Sequence, residues 1–212
     1  MPSSTRSPTR RRLLRSAAAL VGVGSVAGCS GTGSSSSESV SNGPNADPPD
    51  DAVTDPPAVV LRAPQGVRVL RDETSETDDP QEWRHNLVAD ADTAASVSIA
   101  DVNGADEARG FLDQTDFETE TVYVERHVVG ECYEQRLCWI RWTEERVETS
   151  YARVLRPADV SCSADARVGV THLIQLSDAL DPDQVSRFSS SGGSGACRAP
   201  SGTGRSGSAG EQ

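Results

Sequence analysis

The apolar positions between residues 58 and 188 recur with a period of two. The clearest case is 166–176, where Ala166, Val168, Val170, His172, Ile174 and Leu176 share one parity and Arg167, Gly169, Thr171 and Gln175 the other. Side chains alternate across a strand, so this segment is predicted to be a half-buried β-strand with the first set facing inward. Val122, Val124 and Val128 alternate in the same way, as do Cys138, Ile140 and Trp142, and residues 147–155 are rich in β-formers. Four such segments in succession predict antiparallel sheet. Shorter β candidates at 58–62, 67–70 and 96–100, with turn signals between them, extend this to a mainly β fold: an antiparallel β-sandwich or a partly open barrel. One short helix stands out. Asn103-Gly104-Ala105-Asp106-Glu107 supplies a cap and early carboxylates, Ala108, Phe111 and Leu112 an apolar face, and Thr115-Asp116 the break.

Outside this block the patterning disappears. Residues 30–57 hold Ser34-Ser35-Ser36-Ser37, Pro48-Pro49-Asp50-Asp51 and Pro56-Pro57 with almost no large apolar side chain, a composition that cannot offset ordering entropy and reads as a disordered linker. Residues 189–212 read as a low-complexity tail. Cys197 complicates that, because a cysteine there is most useful if it staples the tail to the core.

The first 29 residues follow a third pattern. A basic stretch, Arg10-Arg11-Arg12-Leu13-Leu14-Arg15, leads into the small and apolar residues 16–28 and ends at Val26-Ala27-Gly28-Cys29. The apolar run is too short for a bilayer core that needs about 20 residues, and the basic, apolar and small-residue parts are those of a secretory signal. With Arg10, Arg11, Leu13 and Leu14 the segment resembles a twin-arginine export signal, and its end resembles the lipobox of lipoproteins. The resemblance implies cleavage before Cys29, a lipid on its thiol, and a location on the extracellular face of the cell membrane.

The chain carries 32 acidic residues and 20 cations, every one of them arginine, for a net charge of −12. Five of those arginines lie within residues 1–29, which contain no acid, so cleavage would leave a still more acidic protein. Acids spread along the whole chain read as a solvation device, and nucleic acid is excluded as a partner. Acidity, absent lysine and the arginine-rich signal together resemble a secreted haloarchaeal lipoprotein, which implies work in high salt.

Four cysteines remain, Cys132, Cys138, Cys162 and Cys197, and an even number in an exported chain predicts two disulfides. Cys132 with Cys162, and Cys138 with Cys197, is the favoured pairing because the first two lie in polar sequence at strand ends. The hairpin pairing of Cys132 with Cys138 remains open.

Metal chemistry finds little support. There is no C-x-x-C or H-x3-5-H spacing, and the three histidines are far apart in sequence. A type-1 copper site lacks its methionine and its Cys–His spacing. Asp101-Val102-Asn103-Gly104 places glycine fourth where a calcium loop needs it sixth. No metal or cofactor is expected. No G-x-S-x-G turn marks a nucleophile. His172 reads as a core residue, and His127, of opposite parity to Val128, is expected at the surface. Trp83, Trp139, Trp142, Tyr123, Tyr133 and Tyr151 could build a stacking surface; Trp139, expected to be exposed, is the ligand candidate among them.

Phe111-Leu112, Thr115-Asp116-Phe117 and residues 121–129 resemble the strand opening of PrcB-like domains, a family linked to protease-complex assembly, although Gly130-Glu131-Cys132-Tyr133 replaces the family's Gly-Tyr turn. The resemblance implies a β-rich fold. The chain therefore reads as a lipid-anchored, non-catalytic binding or envelope-structural module. An accessory subunit or inhibitor of an exported protease or transporter is one alternative, and a hydrolase without a recognisable motif is the other. Replacing the lipidation residue, Cys29→Ser, is expected to move the protein from the membrane to the soluble fraction, and unchanged membrane retention would refute the anchor.

Overall fold

The computed structural model describes residues 35–40, 43–73 and 83–199. The export segment, the Cys29 site and residues 200–212 lie outside the described residues. In chain order the elements are β1 (Ser35–Val40), β2 (Ala58–Pro64), β3 (Leu70–Asp72), β4 (His85–Val88), α1 (Ala91–Ser96), β5 (Val97–Ile99), α2 (Ala105–Gln114), β6 (Thr121–Gly130), β7 (Tyr133–Thr143), β8 (Arg146–Leu155), β9 (Arg167–Leu176) and β10 (Arg187–Ser194). The fold is mainly β. One four-stranded sheet has the order β2-β9-β6-β4, a second has the order β1-β10-β8-β7, and β3 pairs with β5 in a small third sheet.

The β2-β9-β6-β4 sheet is antiparallel throughout, and its longest ladder runs from Thr121↔Leu176 to Gly130↔Arg167. Its two faces feed two cores. Tyr123, Ile174 and Leu176 pack with Ile140, Val147 and Phe188 of the opposite sheet, and Leu180 and Val185 complete that layer. Val122, Val124, Leu173 and Leu61 point the other way, against Ala108 and Leu112 of α2, Ala94 of α1 and the small sheet. β9 is therefore buried on both faces, not half-buried as its alternation suggested, because the helices and third sheet cover its second face.

The helix predicted at 103–115 is α2. Gly104 caps it with a φ of +89°, a left-handed conformation that glycine adopts without the steric cost a side chain would incur. α1, only six residues long, has too few apolar positions to show a helical period in the sequence, and its start is marked by Asp90, whose side chain accepts from the Thr93 N–H at 2.7 Å.

The four successive strands of the sequence reading do not form one antiparallel sheet. β6 crosses to the second sheet through Glu131 and Cys132, β7 and β8 pair there as a hairpin, and β9 returns to pair with β6. The second sheet is mixed, since β10 runs parallel to β8 and β1 parallel to β10. These last two strands come from stretches that composition assigned to linker and tail. Backbone pairing places both, and β10 is held further by the buried Phe188 and Ser190 and by the disulfide just after it.

The disulfides are the favoured pair. Cys132–Cys162 ties the β6–β7 corner to the β8–β9 connection, and Cys138–Cys197 ties the segment after β10 to β7. The β7–β8 register shifts between Leu137 and Trp139, a bulge at Cys138 that breaks the predicted Cys138, Ile140, Trp142 face. Ile140 and Trp142 join the inter-sheet core, while Cys138 and Trp139 pack on the outer face with Ala152 and Ala52. Val53 bridges Ile140, and Asn45 lies so close to β10 that a Cβ on Gly193 would collide with its side chain and backbone. Only glycine lets that covering segment lie down.

Candidate functional site

β6 carries Tyr123, Glu125 and His127 at alternate positions, so all three face the second sheet. The register puts a histidine on each side of Glu125: His85 of β4 is its partner on one flank and His172 of β9 on the other. All three histidines of the chain thus gather around one carboxylate. Sequence reading saw them as distant because the sheet order β9-β6-β4 is not visible in their spacing.

Glu125 is fully buried. From the facing sheet the hydroxyls of Thr149 and Tyr151 donate to its Oε2 at 2.8 and 2.7 Å, and Ser190 of β10 lies 3.2 Å from the Thr149 hydroxyl. Its Oε1 lies 3.1 Å from His127 Nε2, in an ion pair off the line of a well-directed hydrogen bond, and 3.7 Å from His85 Nδ1. His85 Nδ1 in turn meets the Tyr123 hydroxyl at 2.8 Å. Aromatic rings close the surroundings: Tyr151 packs on His127 and His172, and His85 stacks on Phe188.

Burial by itself would raise the Glu125 pKa. The contact with His127, the charges of His127 and His85 and the Tyr151 hydroxyl together outweigh it and bring the group down to about 2. Burial pushes His172 down to about 3, aided by the nearby His127 and opposed by Glu125. His85 is also lowered, chiefly by burial, while Tyr123 and Tyr151 are raised by burial and by the Glu125 charge. The centre is an ionised carboxylate beside a neutral His172, sealed from solvent.

His127 is where this centre meets the surface. Its side chain is 10% exposed, and its Nδ1 faces Glu38 of β1 at 3.4 Å. The expectation of a surface His127 with an inward Val128 is reversed, since Val128 is 39% exposed. Outside His127 opens a cleft of about 640 Å³ at the corner where β6 and β7 diverge. Arg84, Arg126, Arg153 and Arg167 line it, with Tyr133, Tyr151 and, on β10, Gly192 and Gly193. Arg84 pairs with the second oxygen of Glu38, Arg126 donates to the Val67 carbonyl, Arg167 to the Val128 carbonyl, and Arg153 lies over the Tyr133 ring. Glu38 is the one carboxylate among the described residues that line the cleft.

No protein-family model, curated protein or solved structure matches the chain.

The geometry itself limits the chemistry. Both nitrogens of His127 face carboxylates, and neither Thr149 nor Ser190, both buried, reaches the cleft as a nucleophile. Among the described residues no group of three or more His, Cys, Asp or Glu is arranged to hold a metal ion. Trp139, the sequence candidate for a ligand surface, is 8% exposed and lies beneath the Ala52 segment, and Trp83 is equally buried. Trp142 is half-buried and donates from Nε1 to Asp178 at 2.7 Å. Of the three tyrosines only Tyr133 is exposed, so the aromatic set builds no continuous stacking surface.

The pH dependence of stability follows from His172. Its folded value, about 3, lies below the ordinary 6.5, so the unfolded chain takes up a proton that the folded protein refuses. The resulting stability is fully present above pH 6.5 and lost as pH falls toward 3, while the contribution of Glu125 is lost lower, between about 4.5 and 2. Between pH 7.5 and 5, denaturant unfolding is expected to lose about 2 kcal/mol less in His172→Phe than in the wild type. Equal losses in the two proteins would show that His172 is not held neutral.

Proposed function

We propose that the chain is a lipid-anchored, non-catalytic binding module on the outer face of a cell membrane in high salt, and that the arginine-lined cleft holds an anionic ligand. The observation that carries this reading is the inversion of charge at one place. In a chain of net charge −12, the described residues that line one cavity include four arginines and a single carboxylate. The acidic surface elsewhere serves hydration and dispersion. At molar salt the Debye length falls to about 3 Å, so long-range attraction steers nothing and only direct contact in a concave site discriminates. Guanidinium forks supply such contact with carboxylate or phosphate oxygens. The signal-like first 29 residues and the absence of lysine support the location and the salt.

Thermal unfolding in molar KCl, with phosphate or citrate added at constant ionic strength, tests the cleft. The wild type is expected to gain a few degrees at ten times the dissociation constant. The double variant Arg153→Gln/Arg167→Gln should keep its anion-free melting temperature and lose that gain. Both anions stabilise proteins generally by exclusion, so the difference between the two proteins is the signal. An equal gain in both, or none in either, overturns the reading.

A further inference from the structure

The cleft already contains an occupant, and it comes from an edge strand. β1 pairs on one side only, parallel to β10, from Ser35↔Arg187 to Val40↔Gly192. Its sequence is Ser-Ser-Ser-Glu-Ser-Val, and Ser37, Glu38 and Ser39 are exposed residues, although the Glu38 side chain itself is half-buried among its partners. Among its described side chains, Ser37 meets the Ser189 hydroxyl at 3.3 Å, and the Glu38 carboxylate spans Arg84 and His127 Nδ1.

Resting on the reading of the cleft as an anion site, we propose that it receives an extended acidic segment of a partner protein, and that β1 is a built-in strap which this segment displaces. Addition of a strand to a sheet edge combines main-chain hydrogen bonds for affinity with pockets for alternate side chains for specificity. β10 supplies the edge. Gly192, paired with the cleft-lining Tyr151, leaves the wall there without a side chain, while Asn45 packs on Gly193 from the other face. Glu38 supplies one carboxylate to a wall of four arginines, whereas a strand with carboxylates at i and i+2 would present two on the same face, about 7 Å apart. The partner class is therefore a peptide segment of the Glu-x-Glu type, recognised by charge at contact distance and by backbone pairing.

The test uses the chain with Glu38→Gln, a substitution at a 30% exposed side chain that leaves the ladder intact. The probe is fluorescein-labelled Ser-Ser-Ser-Glu-Ser-Glu, whose second carboxylate falls at the register of Gly192 on the cleft wall, read by anisotropy in molar KCl beside the matched peptide with Gln in place of both Glu. Expected are binding about tenfold tighter to Glu38→Gln than to the wild type, and no binding of the Gln peptide. Equal affinity for both proteins would show that the peptide sits away from β1 and would overturn the strap. Equal affinity for both peptides would overturn the acidic specificity. A wild type that takes up phosphate or citrate but, like Glu38→Gln, ignores the acidic peptide would sink the strap and leave the anion site standing. Failure with the small anions as well would remove the underlying reading. Formation of dimers by Glu38→Gln in sedimentation, with peptide excluded, would assign the edge to a second copy and not to a partner.

Discussion

A carboxylate sealed between two β-sheets governs what may surround it. Moving an ion out of water costs several kcal/mol even after relaxation, and the cost is offset only where its oxygens are met by donors and opposite charge. Glu125 meets these terms with groups from four strands: Thr149 and Tyr151 of β8, His85 of β4, and His127 of its own strand, with His172 of β9 kept neutral alongside. Those partners lie on both sheets, so the polar contacts of this one carboxylate span the space between them. Phe188, Tyr123 and Tyr151 exclude the water that would otherwise solvate it.

The same network ends at the surface. His127 has Glu125 behind it and Glu38 in front, which places β1 in electrostatic continuity with the buried centre. Two disulfides fix the frame around this path, one at the β6–β7 corner that forms the cleft and one behind the outer face of β7. Under the proposed reading, a rigid corner with an ionic interior presents arginines in a fixed array, and the edge strand β1 is the part that can leave. An acidic exterior and a basic cleft then have separate tasks, solubility in salt for the first and contact recognition for the second.

Much of the fold was legible where the signal is local. The alternation over 166–176 named β9 and put His172 inward, the Gly104–Glu107 stretch named α2, and the polar surroundings of Cys132 and Cys162 suggested the right pairing. What escaped was non-local. Nothing in the spacing of His85, His127 and His172 says that β4, β6 and β9 are neighbours, so their convergence on Glu125 was invisible. The Ser-rich segments of β1 and β10 carry no apolar alternation; backbone pairing places β1, and pairing, the buried Phe188 and the nearby Cys138–Cys197 disulfide place β10. Trp139 was misplaced for a related reason: the covering segment at 45–53 comes from a stretch whose composition argued against structure, and the bulge at Cys138 altered the parity.

The central claim is that Glu125 is ionised inside the folded protein, and the most direct measurement is its own titration. Carboxyl carbon shifts of glutamate-labelled protein, with the Glu125 signal identified by its loss in Glu125→Gln, would be followed downward from pH 7 while the protein stays folded. The account predicts a constant, ionised shift to below pH 4, consistent with a value of about 2. A protonation step in the folded state above pH 4.5 would contradict it, because the imidazole and hydroxyl partners would then not be stabilising a buried charge.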